Sequence, residues 1–333
     1  MIVRTAQQAS AVIKNDIPFT KCVILRNPRS TQAIQARQRI EMLRELFETD
    51  AITLFDTSPD GSEANRRLLQ AHANLLGSHT LLAIAGGDGT VNLAVDTLLD
   101  ANRFTPEQQQ TTILPLWGGN GNDLAYMLNG APGHLSIHDL LQTGRKVAVR
   151  PLHCEISVDG IVANYTAICY ASFGASAYAA HQLEERLRDT RPFFHMFGIA
   201  RFVHELGMVS HAMREAPRFV VEDSSTTHTV YERLFLNGPR LAKVNRGPLK
   251  LTDPQFYHIT VDQKRLSSLA FHFSEMRKNP SRYIVADGQA VSFTVHEPTW
   301  AQIDGEVMRL TAGTHVRVSL NDQPFYAQST LLG

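Results

Sequence analysis

The chain has 333 residues, 43% of them hydrophobic, which is enough to build the cores of two domains. Lysine plus arginine equals aspartate plus glutamate, so the formal net charge is zero and no global field draws the protein to nucleic acid or to an anionic membrane. Three widely spaced cysteines in apolar runs favour buried thiols in a reducing cytoplasm over disulfides or zinc ligands.

The N-terminal part predicts alternating strands and helices. Residues 1–20 lack the apolar core of an export signal and are interpreted as an extension. Apolar periodicity then predicts strands over 21–25, 51–55, 80–85 and 111–116, with helices over 32–48, 63–76 and after each of the last two strands. This β-α-β repetition predicts a doubly wound parallel sheet with helices on both faces, forming a nucleotide-binding α/β domain over residues 21–135.

After about Gly130 the pattern changes to short strand-like runs separated by polar turns. These runs predict a mainly antiparallel β-sandwich domain over residues 136–333, with a helical insertion at 176–214. The apolar stripe of the insertion, which includes Met196, Ile199 and Val203, fits either a lipid-facing lid or, more commonly, a helix that covers the core. The four histidines between 181 and 211 lack the spacing of a zinc-binding helix.

A glycine-rich turn follows the apolar strand 80–85. The turn reads Gly86-Gly87-Asp88-Gly89-Thr90 and leads into a helix. Glycines at 86, 87 and 89 permit positive φ and a close approach of backbone N–H groups to an anion, and the helix start adds its dipole. Since a bare carboxylate would repel phosphate, Asp88 indicates a divalent cation or a nucleotide ribose at the same place.

A second turn of the same kind follows the next strand and runs from Trp117 through Gly118-Gly119-Asn120-Gly121 to Asn122-Asp123. In a parallel sheet, turns after neighbouring strands meet at the carboxyl edge, where open α/β sheets bind ligands. Neither a Walker-type phosphate loop nor a dinucleotide fingerprint is present in the sequence.

The two turns together resemble the diacylglycerol kinase catalytic domain superfamily, which includes bacterial lipid kinases, sphingosine kinases and ceramide kinases. Asn27-Pro28 and Thr57 resemble family positions upstream, and Asp304-Gly305-Glu306 resembles the family's acid/base turn. Ala171-Ser172-Phe173-Gly174 and Asn237-Gly238 follow in the family's order. The Gly-Gly-Asp-Gly turn alone is also shared with NAD kinases and phosphofructokinases.

The resemblance implies ATP and Mg²⁺ as cofactors and assigns roles to particular residues. The implied nucleotide-binding residues are Asn27, Thr57, Gly86, Gly87, Asp88, Gly89, Thr90, Asn92, Gly119, Asn120, Gly121 and Asn122. The implied metal ligands are Asp88, Asp123 and Asp253, and the implied acid/base residues are Asp304 and Glu306. If the segment 304–306 is extended its two carboxylates share a face, and if it turns they diverge, so the sequence leaves open which of them is the base.

Several positions depart from the family pattern. Ser30 and Thr31 lie where a glycine is usual, and Asn120 and Tyr126 replace a threonine and an arginine. The family typically has an aspartate where Pro151-Leu152-His153 stands, and Pro254 replaces the glycine after Asp253. These changes favour a weak or absent structural metal and motivate a catalytically silent nucleotide- or lipid-binding protein as an alternative.

The leading hypothesis is an ATP-dependent lipid kinase that phosphorylates a hydroxyl of a diacylglycerol, sphingoid or related lipid in a cleft between the domains. A soluble-metabolite kinase such as an NAD kinase is the alternative within the same chemistry. The expected partner is a lipid substrate and not nucleic acid. A cytoplasmic location with peripheral contact at the inner membrane surface is expected, while a homodimer is left open.

Overall fold

The computed structural model describes residues 17–30, 33–118, 122–131, 136–190, 198–241, 244–245 and 247–332. The chain forms two compact units. The first contains the residues up to Arg150, Lys250–Thr252 and Asp322–Gly333, and the second contains Pro151–Leu249 and Asp253–Asn321. The first unit therefore includes the C-terminal end of the chain, which the sequence assigned to a domain over 136–333.

The first unit is an α/β sandwich. Its elements in chain order are β1 Lys21–Arg26, α1 Ala33–Leu46, β2 Ile52–Asp56, α2 Ser62–Ala71, β3 Thr80–Ala85, α3 Asp88–Leu99, β4 Thr112–Pro115, α4 Asp123–Asn129, α5 Ile137–Thr143, β5 Arg145–Val149 and β20 Phe325–Ser329. The strand order is β2-β1-β3-β4-β20-β5. Strands β2, β1, β3, β4 and β20 run parallel, and β5 pairs antiparallel with β20.

Helices cover this sheet because its central strands are apolar on both faces. Cys22 and Leu81 pack against a core that includes Ile40 of α1 and Leu140 of α5. The alternate residues of the same strands are also buried, and β3 is buried at every position. The parallel, doubly covered sheet predicted from the sequence is therefore confirmed.

The second unit is mainly antiparallel. Its strands are β6 Leu152–Val158, β7 Ile161–Ala167, β8 Tyr170–Gly174, β9 Phe219–Asp223, β10 Thr226–Val230, β11 Glu232–Leu236, β12 Arg240–Leu241, β13 Val244–Asn245, β14 Phe256–Val261, β15 Ile284–Val285, β16 Ala290–Val295, β17 Thr299–Ile303, β18 Glu306–Leu310 and β19 His315–Leu320. Its helices are α6 Ala175–Thr190, α7 Gly198–Glu215 and α8 Leu266–Lys278. One sheet has the order β10-β9-β16-β19-β6-β7 and the other β15-β14-β11-β8-β17-β18.

The two sheets share an apolar core, which confirms the predicted sandwich. Phe219 and Phe293 from the first sheet and Phe173 and Phe235 from the second belong to it. Alternate residues of the second sheet, such as Leu234, belong to a separate core that includes residues of all three helices. The helical insertion predicted at 176–214 corresponds to α6 and α7, whereas α8 was not predicted. Met196 lies outside the described residues, as do the side chains of Ile199 and Val203.

None of the helices in the described ranges combines the length and the apolar character that a membrane crossing requires.

Candidate nucleotide site and acidic hairpin

The candidate nucleotide site lies at the carboxyl edge of the parallel sheet. β1 ends before Asn27, β2 before Thr57, β3 before Gly86 and β4 before Leu116. Backbone hydrogen bonds tie these strand ends together, from Asn27 N to Ala85 O at 2.9 Å and from Thr57 N to Arg26 O at 2.8 Å. The residues predicted after these four strands therefore lie at one edge of the sheet, as parallel pairing requires.

The glycines act here through close packing. A Cβ on Gly86 would lie 2.6 Å from Thr90 Cβ, and one on Gly118 would lie 2.6 Å from Gly86 N. The N–H of Gly118 donates to Gly86 O at 3.1 Å, so the two glycine-rich turns touch through their backbones. The glycines of the first turn do not use the positive φ that they permit, because Gly87 has a φ of −87° and the glycines with positive φ among the described residues lie elsewhere. Glycine is required at positions 86 and 118 because a Cβ would clash there, and not because the backbone has a positive φ.

Asp88 joins the two turns. It is the first residue of α3, and its carboxylate accepts hydrogen bonds from the N–H groups of Asp123 at 3.1 Å and Leu124 at 3.4 Å. Asp88 thus satisfies donors at the start of α4, a different helix from its own. Burial raises the pKa of Asp88 to about 6, the charge of Asp123 adds to the rise, and the backbone N–H donors oppose it.

A buried carboxylate beside a second carboxylate is an arrangement that a cation would stabilise. Asp123 is 3% exposed, and Asn92 lies one helical turn after Asp88 on the same face of α3. The side-chain oxygen of Asn92 is buried without a hydrogen-bond partner in the described structure. A buried oxygen that has no hydrogen-bond partner can accept a hydrogen bond from a bound ligand, such as a metal-bound water. The residues present therefore fit Mg²⁺ with a nucleotide.

Of the other residues predicted to bind the nucleotide, some lie among the described residues and others do not. Asn27 donates from Nδ2 to Thr90 Oγ1 at 3.2 Å, which links the first strand end to α3. Asn122 adopts a left-handed φ of 53° as the cap of α4. Residues 119–121 and Thr31 lie outside the described residues. Ser30, which departs from the family pattern, donates its hydroxyl to the carbonyl of Gly118.

Sequence reasoning missed Arg39, a contact of the second turn. Its Nη1 donates to the carbonyl of Leu116 at 2.8 Å, and its guanidinium lies 5.0 Å from the centre of the Trp117 ring. The signal was available in the sequence, because Arg39 is a charged residue on the apolar stripe of α1 formed by Ala36, Ile40 and Leu43.

The predicted acidic motif forms a tight hairpin in the second unit. Asp304 and Gly305 have φ values of 42° and 97° and connect β17 to β18, with Ile303 paired to Glu306. Two consecutive positive φ values define a type I′ turn, which explains the Asp-Gly sequence. The turn separates the two carboxylates, since Asp304 is 2% exposed whereas Glu306 is exposed.

Asp304 anchors the hairpin to the neighbouring chain segment. Its carboxylate accepts hydrogen bonds from the backbone N–H groups of Ile168, of Cys169 at 3.1 Å and of Tyr170 at 2.9 Å. Its own N–H donates to Tyr170 O at 3.1 Å. Such a set of contacts fixes the turn and leaves Glu306 as the carboxylate of the pair that faces solvent.

The third predicted metal ligand, Asp253, lies in the second unit beside Tyr257. Burial raises the pKa of Tyr257, and the negative charge of Asp253 raises it further. The N–H of Leu249, which donates to the Tyr257 hydroxyl at 2.9 Å, lowers that pKa. Within the described ranges, no group of three or more histidine, cysteine or acidic side chains gathers as a metal cluster. The roles of Asp88, Asp123 and Asp253 as metal ligands stay predictions.

Comparison with known structures supports the fold. The chain is similar to a diacylglycerol kinase from Bacillus anthracis str. Sterne, with a TM-score of 0.60, 15% identity, and coverage of 93% of this chain and 97% of that one. A provisionally assigned diacylglycerol kinase from the same organism gives a TM-score of 0.62 at 17% identity with the same coverage. Yeast NADH kinase, at a TM-score of 0.45 and 10% identity over 94% of this chain and 84% of that one, carries no argument.

No curated protein sequence matches the chain. A family model does match it, that of the diacylglycerol kinase catalytic domain, over residues 21–153. The matched segment contains β1 to β5 and both glycine-rich turns. The resemblance drawn from those turns is thereby confirmed over residues 21–153, the part of the chain that matches the diacylglycerol kinase catalytic domain.

Proposed function

We propose that this protein is an ATP-dependent kinase that phosphorylates a hydroxyl group of a diacylglycerol, sphingoid or related lipid. The observation that carries the proposal is the bridge from the Asp88 carboxylate to the N–H groups of Asp123 and Leu124. This bridge ties the start of α4, which carries Asp123, to Asp88 at the start of α3, beside two turns whose backbones leave no room for a Cβ at Gly86 or Gly118. A soluble-metabolite kinase has no comparable support, because the family match is to the diacylglycerol kinase domain.

Each residue has a task in this proposal. The backbone at Gly86 and Gly118 approaches the nucleotide phosphates closely, and the N-terminus of α3 favours their negative charge. Asp88 and Asp123 would hold Mg²⁺ directly or through water, and the buried Asn92 oxygen could accept a hydrogen bond from such a water. When bound, Mg²⁺ would neutralise charge on the ATP phosphates, including the γ-phosphoryl group that is transferred.

Glu306 is the proposed general base, which takes the proton of the lipid hydroxyl as its oxygen attacks the γ-phosphorus of ATP and the bond from that phosphorus to the leaving ADP oxygen breaks. Its exposure supports this role over Asp304, whose carboxylate is surrounded by three backbone donors. Asp304 is then the residue that orients the hairpin. Asp253 is proposed as a contributor to a structural metal, for which Pro254 is an unfavourable neighbour because it fixes φ and lacks an N–H.

The deciding experiment measures transfer of radiolabelled γ-phosphate from ATP to extracted lipids, with and without Mg²⁺. The expected result is a labelled lipid product that depends on Mg²⁺ and is lost in Asp88→Asn. Labelling of a soluble metabolite in place of lipid would identify the other kinase class. Measurable ATP binding with no labelled product over a broad lipid panel would contradict the proposal and favour a silent binding protein, the alternative raised by His153, Asn120, Tyr126 and Pro254.

A further inference from the structure

Trp117 holds an unusual backbone conformation at the start of the second glycine-rich turn. Its φ is 51°, in the left-handed region that bulky aromatic residues rarely adopt. The residue is 4% exposed and lies directly before Gly118. Such a conformation persists only where the surroundings fix it, so the contacts of Trp117 determine where the turn begins.

Arg39 of helix α1 contacts both the backbone and the ring of Trp117. Its Nη1 donates to the carbonyls of Leu116 at 2.8 Å and Trp117 at 3.4 Å, and its guanidinium stacks over the indole with 5.0 Å to the ring centre. The indole N–H in turn donates to Gly130 O at 3.3 Å, at the other end of α4. One planar side chain therefore holds both the backbone and the ring of the strained residue, a combination that lysine does not reproduce.

The position of Trp117 bears on the proposed phosphate cradle through the next residue. Gly118 donates its N–H to Gly86 O at 3.1 Å, and even a Cβ there would meet Gly86 N at 2.6 Å. A small shift at Trp117 therefore changes the contact between the two turns. Arg39 contacts Leu116 and Trp117, and Trp117 is the residue directly before Gly118, so the effect of Arg39 on Gly118 passes through Trp117.

We propose that Arg39 is a positioning residue for nucleotide binding, which holds Trp117 so that the second glycine-rich turn meets the first. The proposal rests on the proposed function, since it takes the ligand of the two turns to be ATP. Its structural part, the clamp on Trp117, is independent of any ligand. The two parts can therefore be tested separately in the same protein.

The test uses a Trp300→Phe background, which leaves Trp117 as the single tryptophan of the sequence. Arg39→Met removes the donors and the stacking, Arg39→Lys keeps a charge without the planar fork, and Arg37→Met is a matched control at an exposed position of the same helix. Indole emission and acrylamide quenching report on Trp117, calorimetric titration gives the Kd for ATP, and thermal unfolding gives Tm.

Arg39→Met is expected to increase quenching of Trp117 and to weaken ATP binding about tenfold, as the loss of a hydrogen bond to a charged group predicts. Arg39→Lys should give an intermediate Kd, and Arg37→Met should match the background protein. If Arg39→Met only lowered Tm, and left both the quenching of Trp117 and the Kd for ATP unchanged when they are measured well below that temperature, its role would be merely structural and the proposal would be overturned.

Two outcomes keep the proposal separate from the function on which it rests. If the background protein binds no ATP, the proposed function fails and the nucleotide part of this proposal fails with it, while quenching still tests the clamp. If Arg39→Met does not fold, Arg39→Lys decides, because unchanged quenching and Kd in that variant would contradict a role for the planar guanidinium.

Discussion

Glutamate 232 is fully buried, and replacing it by glutamine should change how stability depends on pH. It lies on β11 at the start of α6, where Oε2 accepts the N–H of Ser176 at 2.8 Å. Its other oxygen is buried without a hydrogen-bond partner in the described structure. Burial raises the pKa of Glu232 from 4.5 to about 8, against the opposing effect of hydrogen bonds from Ser176 and Ala175.

A raised carboxyl pKa means that the folded state retains a proton that the unfolded state loses. The stability contributed by this group is therefore fully present below pH 4.5 and is lost as the pH rises to about 8. At about 1.4 kcal/mol per pKa unit, the carboxyl costs the folded state roughly 1 kcal/mol at pH 5 and roughly 4 kcal/mol at pH 8. Glu232→Gln removes this dependence while it keeps an acceptor for the helix start.

The assay is urea unfolding followed by circular dichroism at several values between pH 5 and pH 8. The free energy of unfolding of Glu232→Gln, relative to wild type, should rise by about 3 kcal/mol over this range. Glu297→Gln, which changes an exposed glutamate, should give a flat difference. Parallel pH curves for wild type and Glu232→Gln would refute the reasoning, because they would show that Glu232 ionises alike in the folded and unfolded chains.

Four further predictions concern the candidate site and the acidic hairpin. Gly118→Ala should weaken ATP binding at least about tenfold, because its Cβ would meet Gly86 N; an unchanged Kd by calorimetry would place the nucleotide elsewhere. Asp88→Asn should reduce Mg²⁺-dependent turnover more than metal-free nucleotide binding, and equal losses would make Asp88 a nucleotide or structural contact. Glu306→Gln should lower kcat roughly 10²–10⁴-fold without altering its urea midpoint. By contrast, Asp304→Asn should lower the free energy of unfolding in urea by about 1–3 kcal/mol. A loss of kcat in Asp304→Asn and a loss of stability in Glu306→Gln would instead make Asp304 the base and Glu306 the residue that orients the hairpin.

The parallel sheet was predictable because its strands are short apolar runs that end in glycine-rich turns. The strand 80–85 was predicted with the bounds that the structure gives. Parallel pairing alone predicts that Asn27 and Asp88 lie at the same edge of the sheet. Local pattern and simple topology suffice where neighbouring elements in sequence are also neighbours in space.

Long-range contacts were not predictable in the same way. Nothing in the local sequence around Asp88 shows that its carboxylate accepts N–H groups from residues 35 and 36 positions later. The Asp-Gly turn at 304–305 was recognisable, but the partners of the Asp304 carboxylate lie more than 130 positions earlier. Helix α8 was missed although Leu266, Leu269, Phe273 and Met276 recur at helical spacing, and its start carries no side-chain cap that would have marked it.

The placement of β20 affects the order in which the protein can fold. This strand lies between β4 and β5, yet it is separated from β5 by the whole second unit in the sequence. During synthesis, the parallel sheet therefore lacks an internal strand until Phe325–Ser329 have left the ribosome, and residues 151–321 leave it before them. A fragment that ends at Arg150 would leave β4 and β5 with unpaired backbone edges, so nucleotide binding is expected only from a chain that retains Phe325–Ser329.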